Sequence, residues 1–179
     1  MVMIMVNYLR LLKEKDISIL TASKIMDIPY SSLYAIFHGK TDIYNCKYET
    51  AYKIATFFNL SMDDLVLPKG DFQYFRNTLH HYLKSHGDIE TYRYLLDNKL
   101  IQRYFLHDEN IRALYLVALA EYIENKHSLE KNDVVNQYHD TALAQEYVIG
   151  HSVSKRNNAP VIAEFKRHNI LEGNLYDAV

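Results

Sequence analysis

Residues 18–40, SILTASKIMDIPYSSLYAIFHGK, decide the fold: they read as two short helices joined by a tight turn. Ser18 has the chemistry to cap the first helix, its hydroxyl accepting from an early N–H that has no helical partner. Ala22, Ile25 and Met26 follow at the three- and four-residue steps of one apolar stripe. Asp27 falls where the turn requires a left-handed backbone, which Asp tolerates better than most residues. Pro29 stands at the start of the second helix, where a missing N–H costs nothing. From Tyr30 onward the helix has two faces: Leu33, Ile36 and Phe37 inward, and Tyr30, Ser31, Tyr34, Ala35 and His38 outward. Gly39 is the expected stop. The small residues Ala22 and Ser23 allow the two helices to approach closely, leaving the second as an exposed rod of the width that a DNA major groove admits.

Three pieces in order, LKEKDIS (12–18), TASKIMDIPYSSLYAIFHGKT (21–41) and ETAYKIATFFNLSMDDL (49–65), resemble the lambda-repressor/Cro-like (Xre-type) helix-turn-helix family. The resemblance runs from Tyr8 to Leu67, about a third of the chain. It implies a compact five-helix domain that inserts its third helix into the major groove, usually as a dimer on a near-palindromic site. The expected architecture is therefore all-α: a DNA-binding domain over residues 1–67, followed by a helical dimerisation or partner-binding domain over 71–179.

The flanking segments extend this pattern. A first helix is expected over about Val6 to Lys15, with Tyr8, Leu9 and Leu12 inward. Thr41 to Asn45 reads as a loop, and a fourth helix over Cys46 to Phe58 carries the stripe Ala51, Ile54, Ala55, Phe58. Asn59 breaks it, and Ser61-Met62-Asp63-Asp64 resembles a capping box opening a fifth helix through Leu67. Pro68-Lys69-Gly70 is the domain boundary. Asp71 caps a helix ending at Gly87, and further helices are expected over Asp88–Leu96 and Leu100–Leu106. Asn110 to Asn125 is apolar around most of its circumference and must be buried. Asp133–Tyr138, Thr141–Val148 and Ala159–Arg167 read as helices, Ser152–Asn158 as a polar loop, and Glu172–Val179 as a last turn or two.

Composition excludes several classes. With 49% hydrophobic and 23% charged residues, the chain of 179 is a globular mixture long enough for one large or two small cores. Five Gly and three Pro are too few for the turns of an all-β protein. Cys46 is alone, so no internal disulfide can form, which fits a reducing compartment. The longest apolar run, Leu114 to Ala120, is far too short to span a bilayer, and Met1 to Val6 lacks the features of a signal peptide. The expected location is the cytoplasm. Residues 1–66 hold seven Lys+Arg and seven Asp+Glu, so phosphate affinity must come from the local placement of charge.

On the outward face, the Ser31 hydroxyl suits several base edges and the Tyr30 ring can pack on a thymine methyl. Tyr34 and His38 lie a turn further on, in reach of phosphate oxygens, with Ala35 between them and Tyr44 nearby. Lys40 is the plainest phosphate contact, and the N–H groups near Ser18 and Ile19 suit a phosphate at a helix N-terminus. The face has no Arg, Gln or Asn, so DNA shape carries part of any readout. The alternative is a solvated helix face in a domain without DNA binding.

Nine His residues show no metal-binding spacing, there is no glycine-rich phosphate loop, and Cys46 has no catalytic partner; no metal, cofactor or enzymatic activity is expected. The expected function is a sequence-specific double-stranded DNA-binding regulator, a repressor acting as a homodimer. From Phe72 onward the pieces FRNTLHHYLKSHGDIE (75–90), ALYLVALAEYIE (113–124) and APVIAEFKRHNILEGNL (159–175) loosely resemble the helical extensions that follow such domains in some bacterial proteins. That resemblance implies, as the alternative, an antitoxin that holds a toxin-like protein partner and controls its own operon. A helix-turn-helix-shaped inhibitor that binds protein alone is a third reading.

Overall fold

The computed structural model describes residues 6–67, 70–149 and 161–175. Ten α-helices and two two-residue strands lie among them, so the fold is mostly helical. The chain divides into two compact units, Met1–Lys69 with Leu106–Asp108, and Gly70–Phe105 with Glu109–Val179.

In the first unit the α-helices are α1 (Tyr8–Glu14), α2 (Ile19–Met26), α3 (Tyr30–Phe37) and α4 (Tyr48–Phe58), with single 3-10 turns at Ile43–Asn45 and Asp63–Leu65. Local chemistry sets nearly every boundary. Ser18 Oγ accepts from Thr21 N at 3.1 Å, and Asp27 ends α2 in the left-handed region at φ 51°. Gly39, at φ 70°, closes α3, and Asn59, at φ 56°, closes α4. Ser61 and Asp64 form the reciprocal pair of a capping box, with Ser61 N donating to Asp64 Oδ2 at 2.9 Å and Asp64 N to Ser61 Oγ at 3.2 Å. The box opens one 3-10 turn and not the expected fifth helix, because Val66 is already extended.

The core of this unit is built on aromatic contact. Tyr8 stacks on Phe37 at 4.7 Å between ring centroids, and Phe58 lies 5.9 Å from both. Leu12, Ala22, Met26, Leu33, Ile36 and Ile54 complete it, each large side chain contributing about 1.5–3 kcal/mol on burial. Two expected core residues face solvent instead: Ile25 is 61% exposed and Leu9 41%. The buried stripe of α2 runs through Ala22, Ser23 and Met26, turned toward Ser23 and so about 100° away from Ile25. Ser23 is accommodated by donating its hydroxyl to Leu20 O at 2.9 Å. On α1 the stripe runs through Tyr8 and Leu12, with Leu11 half-buried beside it, which leaves Leu9 outside.

Leu106–Asp108 belong to this unit although they lie far along the chain. Leu106 O accepts from Asn7 N, Asp108 accepts from Asn7 and Arg10, and His107 Nε2 meets Asp64 O at 2.8 Å.

The second unit contains α5 (Phe72–His86), α6 (Asp88–Asp97), α7 (Leu100–Leu106, whose last residue belongs to the first unit), α8 (Asn110–His127), α9 (Asp133–Gln137) and α10 (Ala163–Arg167). Asp71 caps α5 through Tyr74 N at 2.8 Å, as its chemistry requires. Twelve of the eighteen residues of α8 are buried, which makes it the central helix of this unit, with α6 and α10 packed against it. Strand β1 (Tyr147–Val148) pairs in parallel with β2 (Ile170–Leu171), Tyr147 opposite Ile170.

That pairing overturns the helix expected over Thr141–Val148. The backbone there bonds across the chain and not along it: Leu143 N donates to His168 O, Tyr147 N to Asn169 O and Ile149 N to Leu171 O. Within the described part of Ala159–Arg167 the helix begins only at Ala163, because Ile162 is extended and donates to Glu172 O. Residues 172–175 are not helical. The expected loop Ser152–Asn158, Pro68-Lys69 of the expected boundary and the last four residues lie outside the described residues.

Candidate functional site

The outward face of α3 is assembled from the turn upward. Pro29, at φ −50°, sets the entry to the helix, and Leu33, Ile36 and Phe37 anchor its inner side in the core. Tyr30 is 47% exposed, Ser31 and His38 are exposed, and Tyr34 and Ala35 are half-buried. Tyr30, Tyr34 and His38 stand one above another at four-residue steps. The first two rings lie 5.8 Å apart and tilted, while Tyr34 and His38 stack at 3.9 Å.

The left-handed Gly39 folds the following backbone over the end of α3, so that Lys40 N and Thr41 N both donate to Ala35 O. This turn carries Lys40 Nζ to 5.1 Å from the Tyr34 ring centroid, a cation against an aromatic face. His38 Nδ1 contacts Tyr34 O at 3.0 Å, which leaves Nε2 as the outward nitrogen. The rod thus bears an aromatic column with a positive charge at its C-terminal end.

The other expected contacts fare differently. Ser18 Oγ is occupied by its cap and by Thr21 Oγ1 at 2.9 Å, so what α2 can offer an anion is its first-turn N–H groups. Ile19 packs its side chain against the core, and only its backbone is in play. The Tyr44 ring is 49% exposed, but its hydroxyl donates to Leu67 O at 3.0 Å.

A groove of about 350 Å³ opens in this unit, lined by Ser32, Ile36, Thr41, Cys46, Lys47 and Thr50. The residues around it include Ser32, Thr41 and Thr50, which bear hydroxyls, the Cys46 thiol and Lys47, types that can hydrogen-bond a phosphate oxygen. Lys47 precedes the first turn of α4, which has no side-chain cap. Sequence reasoning missed Lys47 and Thr50 by placing the helix start at Cys46; the signal available was a basic residue just before a helix N-terminus. Among the described residues neither Lys40 nor Lys47 is in an ion pair. Elsewhere in the unit Lys53 lies 3.1 Å from Glu49 and 3.8 Å from Asp27, and Asp42 accepts from Tyr44 N at 3.0 Å. Burial, with the charge of Asp42, pushes the Cys46 thiol up in pKa, the opposite of nucleophile activation.

The second unit holds buried polar groups that no sequence pattern announced. Glu172 accepts from Arg76 Nε at 2.7 Å and Nη2 at 3.0 Å, from the Tyr115 hydroxyl at 2.9 Å, and from Gly173 N and Asn174 N. His80 Nε2 lies 2.7 Å from the Tyr115 oxygen, completing a chain of four buried side chains. Because the Tyr115 proton goes to Glu172, His80 must donate from Nε2, and its Nδ1 is left as a bare buried acceptor. Burial, with the charge of Arg76, lowers the His80 pKa to about 4.

Glu121 of α8 forms a second node with His139 at 2.7 Å, Arg167 at 2.9 Å and His168 at 3.5 Å. Burial alone would raise the Glu121 pKa; the close approach of His168, the His139 hydrogen bond and the Arg167 charge outweigh it and lower the pKa. Both nodes fasten the 163–175 segment to other elements of this unit. Among the described residues no group of three or more His, Cys, Asp or Glu is placed to hold a metal, and no helix is long and apolar enough to cross a membrane.

Comparison with known family models, curated proteins and solved structures returned no match to this chain.

Proposed function

We propose that this chain is a cytoplasmic, sequence-specific double-stranded DNA-binding regulator that represses as a homodimer, and that its first unit is a lambda-repressor-like reading domain. The observation that carries the reading is the outward face of α3. Eight residues of helix are fixed to an aromatic core on one side and present Tyr30, Ser31, Tyr34, Ala35 and His38 on the other, free of carboxylates. A helix with its side chains is about 10–12 Å across, close to the width of the major groove.

In this reading Tyr30, Ser31 and Ala35 meet base edges, and Lys40 and Lys47 meet the phosphates on either side of the α3–α4 connection. The first-turn N–H groups of α2 at Ser18 and Ile19 take another phosphate. The hydroxyl of Tyr44, being bonded to Leu67 O, serves to hold its own loop. One short helix reads only a few base pairs, so specificity requires two heads about 34 Å apart, which is the physical case for a dimer.

Selection of duplexes from a randomised pool by the full-length chain tests this. Lys40→Ala is expected to weaken binding to every duplex alike, whereas Ser31→Ala or Tyr30→Ala changes which duplex is enriched. Identical enrichment by wild type and all three variants would refute the reading.

A further inference from the structure

We propose that the α3 face selects its duplex chiefly through the 5-methyl groups of thymine, an inference that rests on α3 being the duplex-reading helix. Between Tyr30 and His38 there is no Arg, Lys, Asn or Gln, so no side chain on the face can make the paired hydrogen bonds that distinguish guanine or adenine. At the C-terminal end of the face the rings and the Lys40 ammonium pack on one another, and the outward His38 Nε2 and the exposed Lys40 are suited to phosphate oxygens. Tyr34 stacks on His38 at 3.9 Å, Lys40 Nζ lies 5.1 Å from the same ring, and His38 Nδ1 is held at Tyr34 O. That column is built to sit against the backbone.

Left for base edges are the half-exposed Tyr30 ring and the Ser31 hydroxyl at the N-terminal end and, one turn on, the half-buried Ala35 methyl. The Ser31 hydroxyl can donate or accept, so it adjusts the preference among bases without fixing one. The Ala35 methyl and the face of the Tyr30 ring are apolar, the Tyr30 hydroxyl being as adaptable as that of Ser31, and the only apolar group that any base presents in the major groove is the thymine methyl. Thymines opposite Tyr30 and Ala35 are thus the positions at which sequence is read. The transfer energy of one buried methyl corresponds to a factor of about four in affinity per contact, and about fifteen for one contact in each of two half-sites.

The experiment uses the full-length chain and the duplex most enriched from a randomised pool, with each thymine replaced in turn by deoxyuridine. This removes the methyl and leaves pairing and every hydrogen-bonding group unchanged. The expected result is a loss of about fourfold at one or two thymines per half-site, with Tyr30→Ala, checked for folding by circular dichroism, insensitive to at least one of those replacements. Equal dissociation constants for thymine and deoxyuridine duplexes at every position would overturn the methyl readout while leaving duplex binding intact. A Tyr30→Ala variant that keeps the full thymine preference would overturn the assignment to this face. Failure to enrich any duplex would overturn the inference together with the function it rests on.

Discussion

Removing the carboxylate of Glu172 tests how the second unit is held together. The Arg76 and Glu172 side chains are 7% and 2% exposed, and the pair is bidentate. Glu172→Gln leaves the Arg76 guanidinium buried without a counter-charge, and breaking a buried pair in this way costs about 3–5 kcal/mol. Arg76→Met is expected to cost less, about 2–3 kcal/mol. The carboxylate it strands still accepts from the Tyr115 hydroxyl and from the backbone N–H groups of Gly173 and Asn174. The double variant removes both charges, so its loss should fall short of the sum of the two by about 2 kcal/mol. Because the chain has two compact units that can unfold in separate steps, the readout is hydrogen exchange of α8 peptides across a urea series. Additive losses, or a Glu172→Gln loss below about 1 kcal/mol, would refute the reasoning.

Three further outcomes are expected from the geometry. The folded His80 pKa of about 4 lies below its ordinary value of 6.5, so between those pH values the unfolded chain binds more protons. Stability of the second unit is therefore retained above pH 6.5 and lost as pH falls toward 4, by up to about 3 kcal/mol. His80→Gln, which keeps a donor for Tyr115, should flatten the pH dependence of thermal unfolding; an unchanged slope would contradict this. Ser61→Ala removes half of the reciprocal cap with Asp64 and is expected to lower first-unit stability by about 1 kcal/mol in urea titration. Ser18→Ala, which removes the cap of α2, should cost a similar amount; a loss near zero would mean that water replaces the cap freely.

How legible these features were depends on how far along the chain their causes lie. Ser18, Asp27, Gly39, Asn59, the Ser61–Asp64 box and Asp71 act on neighbours within a few residues, and each was readable from the sequence. The burial of α8 was readable too, because a helix apolar on nearly every side has nowhere else to go.

Rotation of a stripe was less legible. Ser23 and Ile25 point about 160° apart on α2, and the packing turns the helix toward the smaller, whose hydroxyl is satisfied within its own helix. The β1–β2 pairing joins residues more than twenty positions apart, and Thr141–Val148 alone contains nothing that signals Ile170 as a partner. Nothing in the local sequence marks Glu121 or Glu172 as a buried, partnered carboxylate. Their burial depends on Arg76, Tyr115, His139, Arg167 and His168, which only the folded chain collects.

The most direct test of the central claim is a titration of the full-length chain against the DNA upstream of its own gene at a series of salt concentrations. With Lys40 and Lys47 on phosphates in each of two heads, the slope of log K against log salt should be about −3.6, becoming shallower by about 1.8 in a Lys40→Ala dimer. Absence of saturable binding at the lowest salt, or a slope indifferent to Lys40→Ala and Lys47→Ala, would contradict it.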